Sequence, residues 1–507
     1  MSLLLGLDLG TTSIKCVLYN AQAGKILRTA TRPTPVDHPR EDWSEHQAEA
    51  LWKASAACLR EAAAGLPVKA LAISSMAEAG LLVDERIQPL TSVIAWYDRR
   101  SEPQAAWVEE QIPVEALYHR TGQRVSPSFG ITKLLWHRQN EPDAFSRAAF
   151  WLPLPAYLLW KLTGQLAVDY TIAARTLLFD QRALNWSTDL LTAFELPREF
   201  LPSVRCGGTP VGNLTRAAAE VTGLPPSVTC VLGGHDHLCA ALAAGLRHIG
   251  AMTDSTGSAN ALLLLTPGFQ PDASLAAQGY ASSAYLLPGL YTLKGGLKAA
   301  GSAIEWLARQ LSPTGQNPDY AHLEASAEEG LGRRAGPLWL PHLIGSGTPQ
   351  GDRFSRAALI GAQFEHNAGD LFRGLLESLA FWTRQNVEAM ERLSGAPIQS
   401  LTLTGGVTRL RLLSQLKADV LNRPVRVARV PEAAAAGAAL LAGIGSGVFG
   451  SAQEALESMR YEWEEIPPNP TRADWYAGLY ETAYLPLYGA LKTIHGALHQ
   501  AQERFQN

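Results

Sequence analysis

Leu3-Leu4-Leu5-Gly6-Leu7-Asp8-Leu9-Gly10-Thr11-Thr12-Ser13-Ile14-Lys15-Cys16-Val17-Leu18-Tyr19 is the stretch on which the reading of the fold turns. Residues 3–8 and 13–19 are apolar runs of strand length, separated by the small, hydroxyl-rich turn Leu9-Gly10-Thr11-Thr12, and they predict a buried hairpin. Glycine allows close approach of a ligand, and backbone N–H groups together with threonine hydroxyls offer donors to an anion such as a triphosphate. Asp8 at the strand end can hold hydrated magnesium, and Lys15 can add charge. Taken alone, the segment also fits an ordinary hairpin with a polar turn.

The pattern spreads outward from there. Residues 47–64 have helical spacing, and 70–75, 81–83 and 92–96 read as strands. The middle, about 100–200, reads as mostly helical. A strand at 229–233 runs into a helix at 235–244. Near residue 246 the hairpin logic restarts: strand 250–254, turn Ser255-Thr256-Gly257-Ser258, strand 259–265. Helices at 371–392, 410–421 and 432–445 alternate with strands at 400–403 and 425–428, and the tail from 475 reads as helix interrupted at Pro486. The restart suggests two related halves, 1–245 and 246–507.

Bulk composition narrows the function. The 507 residues are 47% hydrophobic and 18% charged, enough for large cores without wholesale disorder. A net charge of −4 carries no basic surplus for phosphate backbones, so no nucleic-acid partner is expected. Cys16, Cys58, Cys206, Cys230 and Cys239 fit neither a zinc pattern nor a disulfide framework, which points to buried thiols in a reducing compartment. No basic region precedes Gly6-Leu7-Asp8, so no signal peptide is expected. The Ala- and Gly-rich run 433–450 reads as a close-packed internal helix, since a membrane span needs about 20 strongly apolar residues. A cytoplasmic protein with no membrane partner is the expectation.

Two further segments carry chemistry. Gly233-Gly234-His235-Asp236-His237 places a carboxylate between a strand and a helix, with glycines leaving room for a substrate hydroxyl, and this suits a general base. Asp236 as a plain helix N-cap is the bland alternative. A metal site made of all three polar residues is not expected, because adjacent side chains there should diverge. Thr404-Gly405-Gly406, after a strand and before a helix, suits backbone packing against an adenine or ribose.

The ordered set of motifs resembles the FGGY carbohydrate kinases over nearly the whole chain, from Leu4 to about Tyr488. Asp8 to Ser13 resembles the family's first phosphate hairpin, and Trp96-Tyr97-Asp98-Arg99-Arg100 its W-x-D-x-R segment. Lys133-Leu134-Leu135-Trp136, Leu162-Thr163-Gly164 and Arg175-Thr176-Leu177-Leu178-Phe179-Asp180 follow in the family's order. Gly234-His235-Asp236 is similar to the catalytic-base motif, Gly257-Ser258 to the second phosphate hairpin, and Gly301-Ser302 with Trp306 to an adenosine-side helix. Leu340-Pro341-His342, Gly405-Gly406, Ala418-Asp419 and Gly437-Ala438-Ala439 complete the set.

The resemblance implies an α/β fold of two ribonuclease-H-like domains, of the actin and hexokinase type, around a central cleft. It implies an ATP- and magnesium-dependent kinase for a small sugar or polyol, a ketopentose such as xylulose foremost; hexuloses, tetritols, glycerol and aldonates are alternatives, and a homodimer is compatible with it. A non-catalytic ATP-driven switch is the reading from another class. Asp236 becomes the base, and Asp8 with Asp236 the magnesium ligands. Ala77, Glu78, Trp96, Asp98, Ser128, Asp236 and His237 fall to the sugar. Gly10, Thr11, Thr12, Ser13, Lys15, Gly257, Ser258, Gly301, Glu305, Gly405, Gly406 and Arg409 fall to the nucleotide.

The pocket departs from the family. Xylulokinases carry Met-His, and glycerol kinases Arg-Glu, where this chain has Ala77-Glu78. His237 replaces their Asn or Gln, and Ser128 stands where glycerol kinases have Tyr. A Gly-Glu-Arg segment is replaced by Gly345-Ser346-Gly347, and Leu410 replaces an Asn near the adenine. Trp96 could instead be core, Asp98 could pair with Arg99 or Arg100, and Glu78 could cap a turn or pair with an Arg. Arg373 and Glu377, four apart, read as helix support, and Trp43-Ser44-Glu45 as structural.

Overall fold

The computed structural model describes residues 2–506 apart from 314–315, 332–335 and 461. Two sheets organise it. The first contains β1 (Leu3–Leu9), β2 (Ser13–Asn20), β3 (Lys25–Pro33), β4 (Val68–Ser75), β5 (Pro210–Asn213) and β6 (Thr229–His235), in the order β3-β2-β1-β4-β6-β5. The second contains β7 (Ala251–Thr256), β8 (Asn260–Thr266), β9 (Ala281–Ala284), β10 (Tyr291–Leu297), β11 (Ser400–Thr404), β12 (Val425–Ala428) and β13 (Trp463–Ile466), in the order β9-β10-β8-β7-β11-β12-β13. In each sheet the opening hairpin is antiparallel and gains a third antiparallel strand, β3 or β10. On the other side each first strand pairs in parallel with a strand that has a further parallel neighbour, and an antiparallel edge closes the sheet. These are two ribonuclease-H-like domains. The faint restart near residue 246 is therefore a repeat of topology.

Some elements were silent in the sequence. β3 lies at an edge with most side chains in water, so it lacks a clean apolar alternation. β10 holds Lys294-Gly295-Gly296, which breaks its apolar run. The strand expected at 92–96 shrinks to Val93–Ile94. Pro486 does not interrupt the tail. It lies in a helical run that continues from Pro470 to Gln506, and the π-helical turn Tyr480–Tyr484 just before it takes up the missing N–H.

Five helices position the site: α1 (Asp236–Ala243), α2 (Gly301–Leu311), α3 (Ala368–Ser394), α4 (Arg411–Leu421) and α5 (Ala433–Gly445). α1 follows β6 as α5 follows β12, so the two are counterparts. They pack backbone to backbone: a Cβ on Gly437 would lie 1.9 Å from Cys239 O, and a Cβ on Gly6 of β1 1.8 Å from Ala435 O. Only glycine permits either approach. The helix at 433–445 is thus internal and close-packed. Ala435, Ala438, Ala439 and Ala442 share one core with Leu4, Val17, Ala70 and Val231 of the first sheet and with Leu263 and Leu265 of the second. The division expected at 245/246 separates the two sheets in sequence, but α5 crosses it and covers the first sheet. Its small face fits where a bulkier helix would not.

In the second sheet, Asp254 of β7 is buried. Its carboxylate takes Lys417 Nζ (2.5 Å) and Asn260 Nδ2 (2.7 Å). Arg373 and Glu377 are buried in α3 and paired at 3.3 Å, with Tyr476 donating to Glu377 (2.9 Å), so they support the helix. All five cysteines are free thiols. Among the described residues no helix is long and apolar enough to cross a membrane.

Gly437→Ala tests the helix contact. Alanine in place of glycine inside a helix ordinarily gains about 1 kcal/mol. Here the methyl meets backbone, and overpacking costs roughly 1–3 kcal/mol. The variant should be less stable than the parent in urea unfolding; equal or greater stability would refute the close approach.

Candidate active site

The turn after β1 is tied down by backbone. Gly10 N–H donates to Ser13 O (3.1 Å) and Thr34 Oγ1 to Gly10 O (2.7 Å), leaving Thr12 exposed. Asp8 accepts from Ser74 Oγ (2.9 Å). Desolvation, and then the nearby charge of Asp236, push the Asp8 carboxyl up to about 7. Lys15 does not point freely at the turn: it pairs with Glu432, the residue before α5, at 2.7 Å. Trp96 is not core. Its ring is 39% exposed and its Nε1–H donates to Thr11 Oγ1 (2.8 Å), which sets an aromatic face beside the turn.

Asp236 opens α1 within electrostatic reach of Asp8. The residue capping the helix is His235, so the plain N-cap alternative fails. Asp236 Oδ1 accepts the His237 N–H (2.6 Å), and burial raises its carboxyl above the ordinary range. The strand-to-helix junction is held from below: His235 N–H donates to Thr171 Oγ1 (2.9 Å), and Thr171 Oγ1–H to buried Asp169 (2.5 Å). The expectation that His235, Asp236 and His237 diverge is wrong. One ligand-capable atom from each lies within 4.8 Å of the others. Residues two apart on an extended chain share a face, and the turn into α1 swings Asp236 between them.

Beside Asp236 stands Glu78, at a left-handed φ of +65° that a non-glycine residue rarely adopts. Its carbonyl accepts Lys133 Nζ (3.0 Å) and its carboxylate accepts Arg175 Nε (2.6 Å). Arg175 also reaches Gln123 Oε1 (3.0 Å) and lies over the Phe129 ring, next to part-buried Ser128. Ala77 is buried. Burial lowers the Lys133 ammonium to about 7. From the second sheet Lys294 joins this group: burial lowers it to about 8, and Asp236 and Glu78 act on its titration. Asp98 does not face a ligand. Its enclosed carboxylate takes Ser44 N–H (2.7 Å) and Arg100 Nη2 (2.7 Å), and Arg100 stacks on Trp43. The ion-pair alternative is the one realised, and Trp43-Ser44-Glu45 is its other half, with Glu45 2.5 Å from Arg100.

The second hairpin meets two other glycine segments. Gly301 N–H donates to Gly257 O (3.0 Å) and Ser302 N–H to Ser258 O (3.0 Å). A Cβ on Gly301 would lie 2.1 Å from Gly257 O, and one on Gly405, at φ +92°, 2.3 Å from Thr256 O. Gly257, Ser258, Gly405, Gly406 and Arg409 are exposed, and Glu305 pairs with Arg309 (2.5 Å) on the surface of α2. The residues missed in sequence are the supports, Asp169, Thr171, Gln123, and the Lys294 that comes from the other half; Arg175 and Lys133 stood in motifs with no role attached.

The chain matches the FGGY family of carbohydrate kinases, N-terminal domain, over residues 3–243 and C-terminal domain over 252–446. It is 32% identical to a glycerol kinase of Citrifermentans bemidjiense over 89% of this chain and 91% of that one. It is 28% identical to a xylulose kinase of Bacillus subtilis over 98% and 99%. The crystal structure of xylulose kinase from Rhodospirillum rubrum superposes with a TM-score of 0.90 at 29% identity, covering 97% of this chain and 100% of that one.

The Asp8 shift sets a pH dependence. With a folded-state value near 7 against an ordinary 3.8, the folded protein binds the extra proton between those limits, so this group's contribution to stability falls as pH rises through 7. Asp8→Asn removes that penalty. In chelator, its gain in Tm over the parent should be larger at pH 8 than at pH 5, equivalent to about 1–3 kcal/mol. A gain that is equal at both pH values, or larger at pH 5, would refute the shift.

Proposed function

Because the chain belongs to the FGGY family of carbohydrate kinases, phosphotransferases with an alcohol acceptor and ATP as donor, we propose that Asp236 accepts the proton of the sugar hydroxyl as that oxygen attacks the γ-phosphorus. The observation that carries this reading is the raised, half-buried carboxylate of Asp236 at the mouth of α1, within electrostatic reach of Asp8 in the first hairpin. A carboxylate kept short of full solvation is a stronger base. Phosphoryl transfer asks chiefly for alignment and neutralised charge. The backbone N–H groups and hydroxyls of Gly10, Thr11, Thr12 and Ser13 supply donors to the phosphates from one half, and Gly257 and Ser258 from the other. Gly301, Gly405 and Gly406 leave a surface without side chains for the adenosine. On this reading residues 1–245 carry the sugar site and 246–507, less α5, the nucleotide site.

Asp8 and Asp236 fit a magnesium ion: both offer oxygen donors, and each raises the cost of the other's charge. When bound, the ion supplies neutralisation of the β- and γ-phosphate oxygens. Lys15 would have to leave Glu432 to add its own charge.

For the sugar we propose a ketopentose such as xylulose. Support comes from Ala77 and Ser128, which lack the Arg and Tyr of glycerol kinases; Glu78, held by Arg175, is the residue shared with glycerol kinases and keeps glycerol as the alternative. Trp96 supplies a face for stacking.

Asp236→Asn should lower kcat roughly 10²–10⁴-fold with ATP affinity unchanged, and activity within about threefold of the parent would sink the assignment. An ATP-coupled screen over ketopentoses, ketohexoses, tetritols, glycerol and aldonates should give the highest kcat/KM for a ketopentose. A tenfold preference for another class would overturn that choice.

A further inference from the structure

We propose that His235, Asp236 and His237 form a binding site for a borderline transition-metal ion of the Zn²⁺ type, and that its occupancy switches the kinase off. The inhibitory half rests on Asp236 as the base; the binding half does not. Among the described residues, no other three His, Cys, Asp or Glu residues bring ligand atoms so close together, within 4.8 Å. Zinc holds nitrogen and oxygen ligands at about 2.0–2.2 Å, which sets neighbouring ligands roughly 3.3–3.5 Å apart in a tetrahedron. Side-chain rotation covers the difference. His235 Nε2 already lies 3.2 Å from Asp236 Oδ1, and the two imidazole rings stand at 80° with centroids 5.2 Å apart, edge to face and not stacked. One ring nitrogen of each already lies within 4.8 Å of the other and of a carboxylate oxygen of Asp236.

The donor set selects the metal. Two imidazoles and a carboxylate suit zinc, cobalt, nickel or copper, whereas magnesium and calcium prefer oxygen alone. Three protein ligands leave a position open to water. The surrounding charge permits a cation: Asp8, Asp236 and Glu78 are set against Lys294 and an Arg175 already bound to Glu78. A zinc ion held by His235, Asp236 and His237 together would stand among residues assigned to the sugar, Asp236 and His237, and so where the sugar hydroxyl must come. Inhibition should then compete with the sugar and persist in excess magnesium.

The test uses the full chain stripped of metal. Co²⁺ titration should develop the visible absorption of a four- or five-coordinate site, saturating at one ion per chain. His237→Asn, at an exposed position, should weaken that binding at least tenfold, and His235→Gln likewise. Zn²⁺ should inhibit the parent with saturating magnesium and ATP, relieved by added sugar, and the inhibitory concentration should rise at least tenfold in His237→Asn measured against its own uninhibited rate. Absorption of the hexaaquo ion only, or binding unchanged in both variants, overturns the site. Inhibition unchanged in His237→Asn overturns the switch. Should Asp236→Asn prove active, the base assignment fails, while the Co²⁺ titration still decides the metal site.

Discussion

The contact on which the rest depends is the backbone approach between α1 and α5. Each helix follows the equivalent strand of its own sheet, and each starts with an acidic residue at its mouth, Asp236 in one and Glu432 just before the other. Gly437 lets the second helix settle on Cys239, and Gly6 lets β1 settle on the same helix. The depth to which α5 can sink fixes the spacing between the sheets, and with it the spacing of two hairpin turns and one carboxylate. Alanines along α5 fill the remaining space without side-chain entropy to lose. Geometry at the candidate site thus depends on residues with no chemistry of their own.

A second layer holds the polar groups in unfavourable states. Asp236 and Asp8 are desolvated and repel one another, and Glu78 occupies a left-handed backbone conformation. Each has a local restraint: Ser74 for Asp8, the Asp169–Thr171 chain for the strand end before Asp236, and Lys133 with Arg175 for Glu78. Such strain survives only where its surroundings over-determine it. Lys133 illustrates the cost, because burial brings its own ammonium to about 7 while it clamps a carbonyl.

Much of this was legible in the chain itself. The hairpins, the β6–α1 junction and the glycines packed on the second hairpin were visible because turns and close approaches need particular residue types at particular spacings. The supports were not. Gln123, Asp169 and Thr171 act through contacts far away in sequence, and nothing local marks them. Asp98 left two readings open in the sequence, pocket or ion pair, and the structure takes the second, a buried pair with Arg100 against Trp43. The convergence of His235, Asp236 and His237 escaped because neither strand nor helix periodicity brings three consecutive side chains together, and the residues lie where one gives way to the other. The β3 edge and the Gly-Gly strand β10 escaped for lack of an apolar pattern.

The two sheets repeat one topology, yet the carboxylates near the ends of their first strands have opposite fates. Asp254 is locked beneath the second hairpin by Lys417 and Asn260, whereas Asp8 has no such clamp, only Ser74 and a shared field with Asp236. A duplicated scaffold would otherwise present two interchangeable faces to its ligands. Pinning one acid with an internal lysine gives the pair of domains a polarity, like the marked end of a symmetric connector.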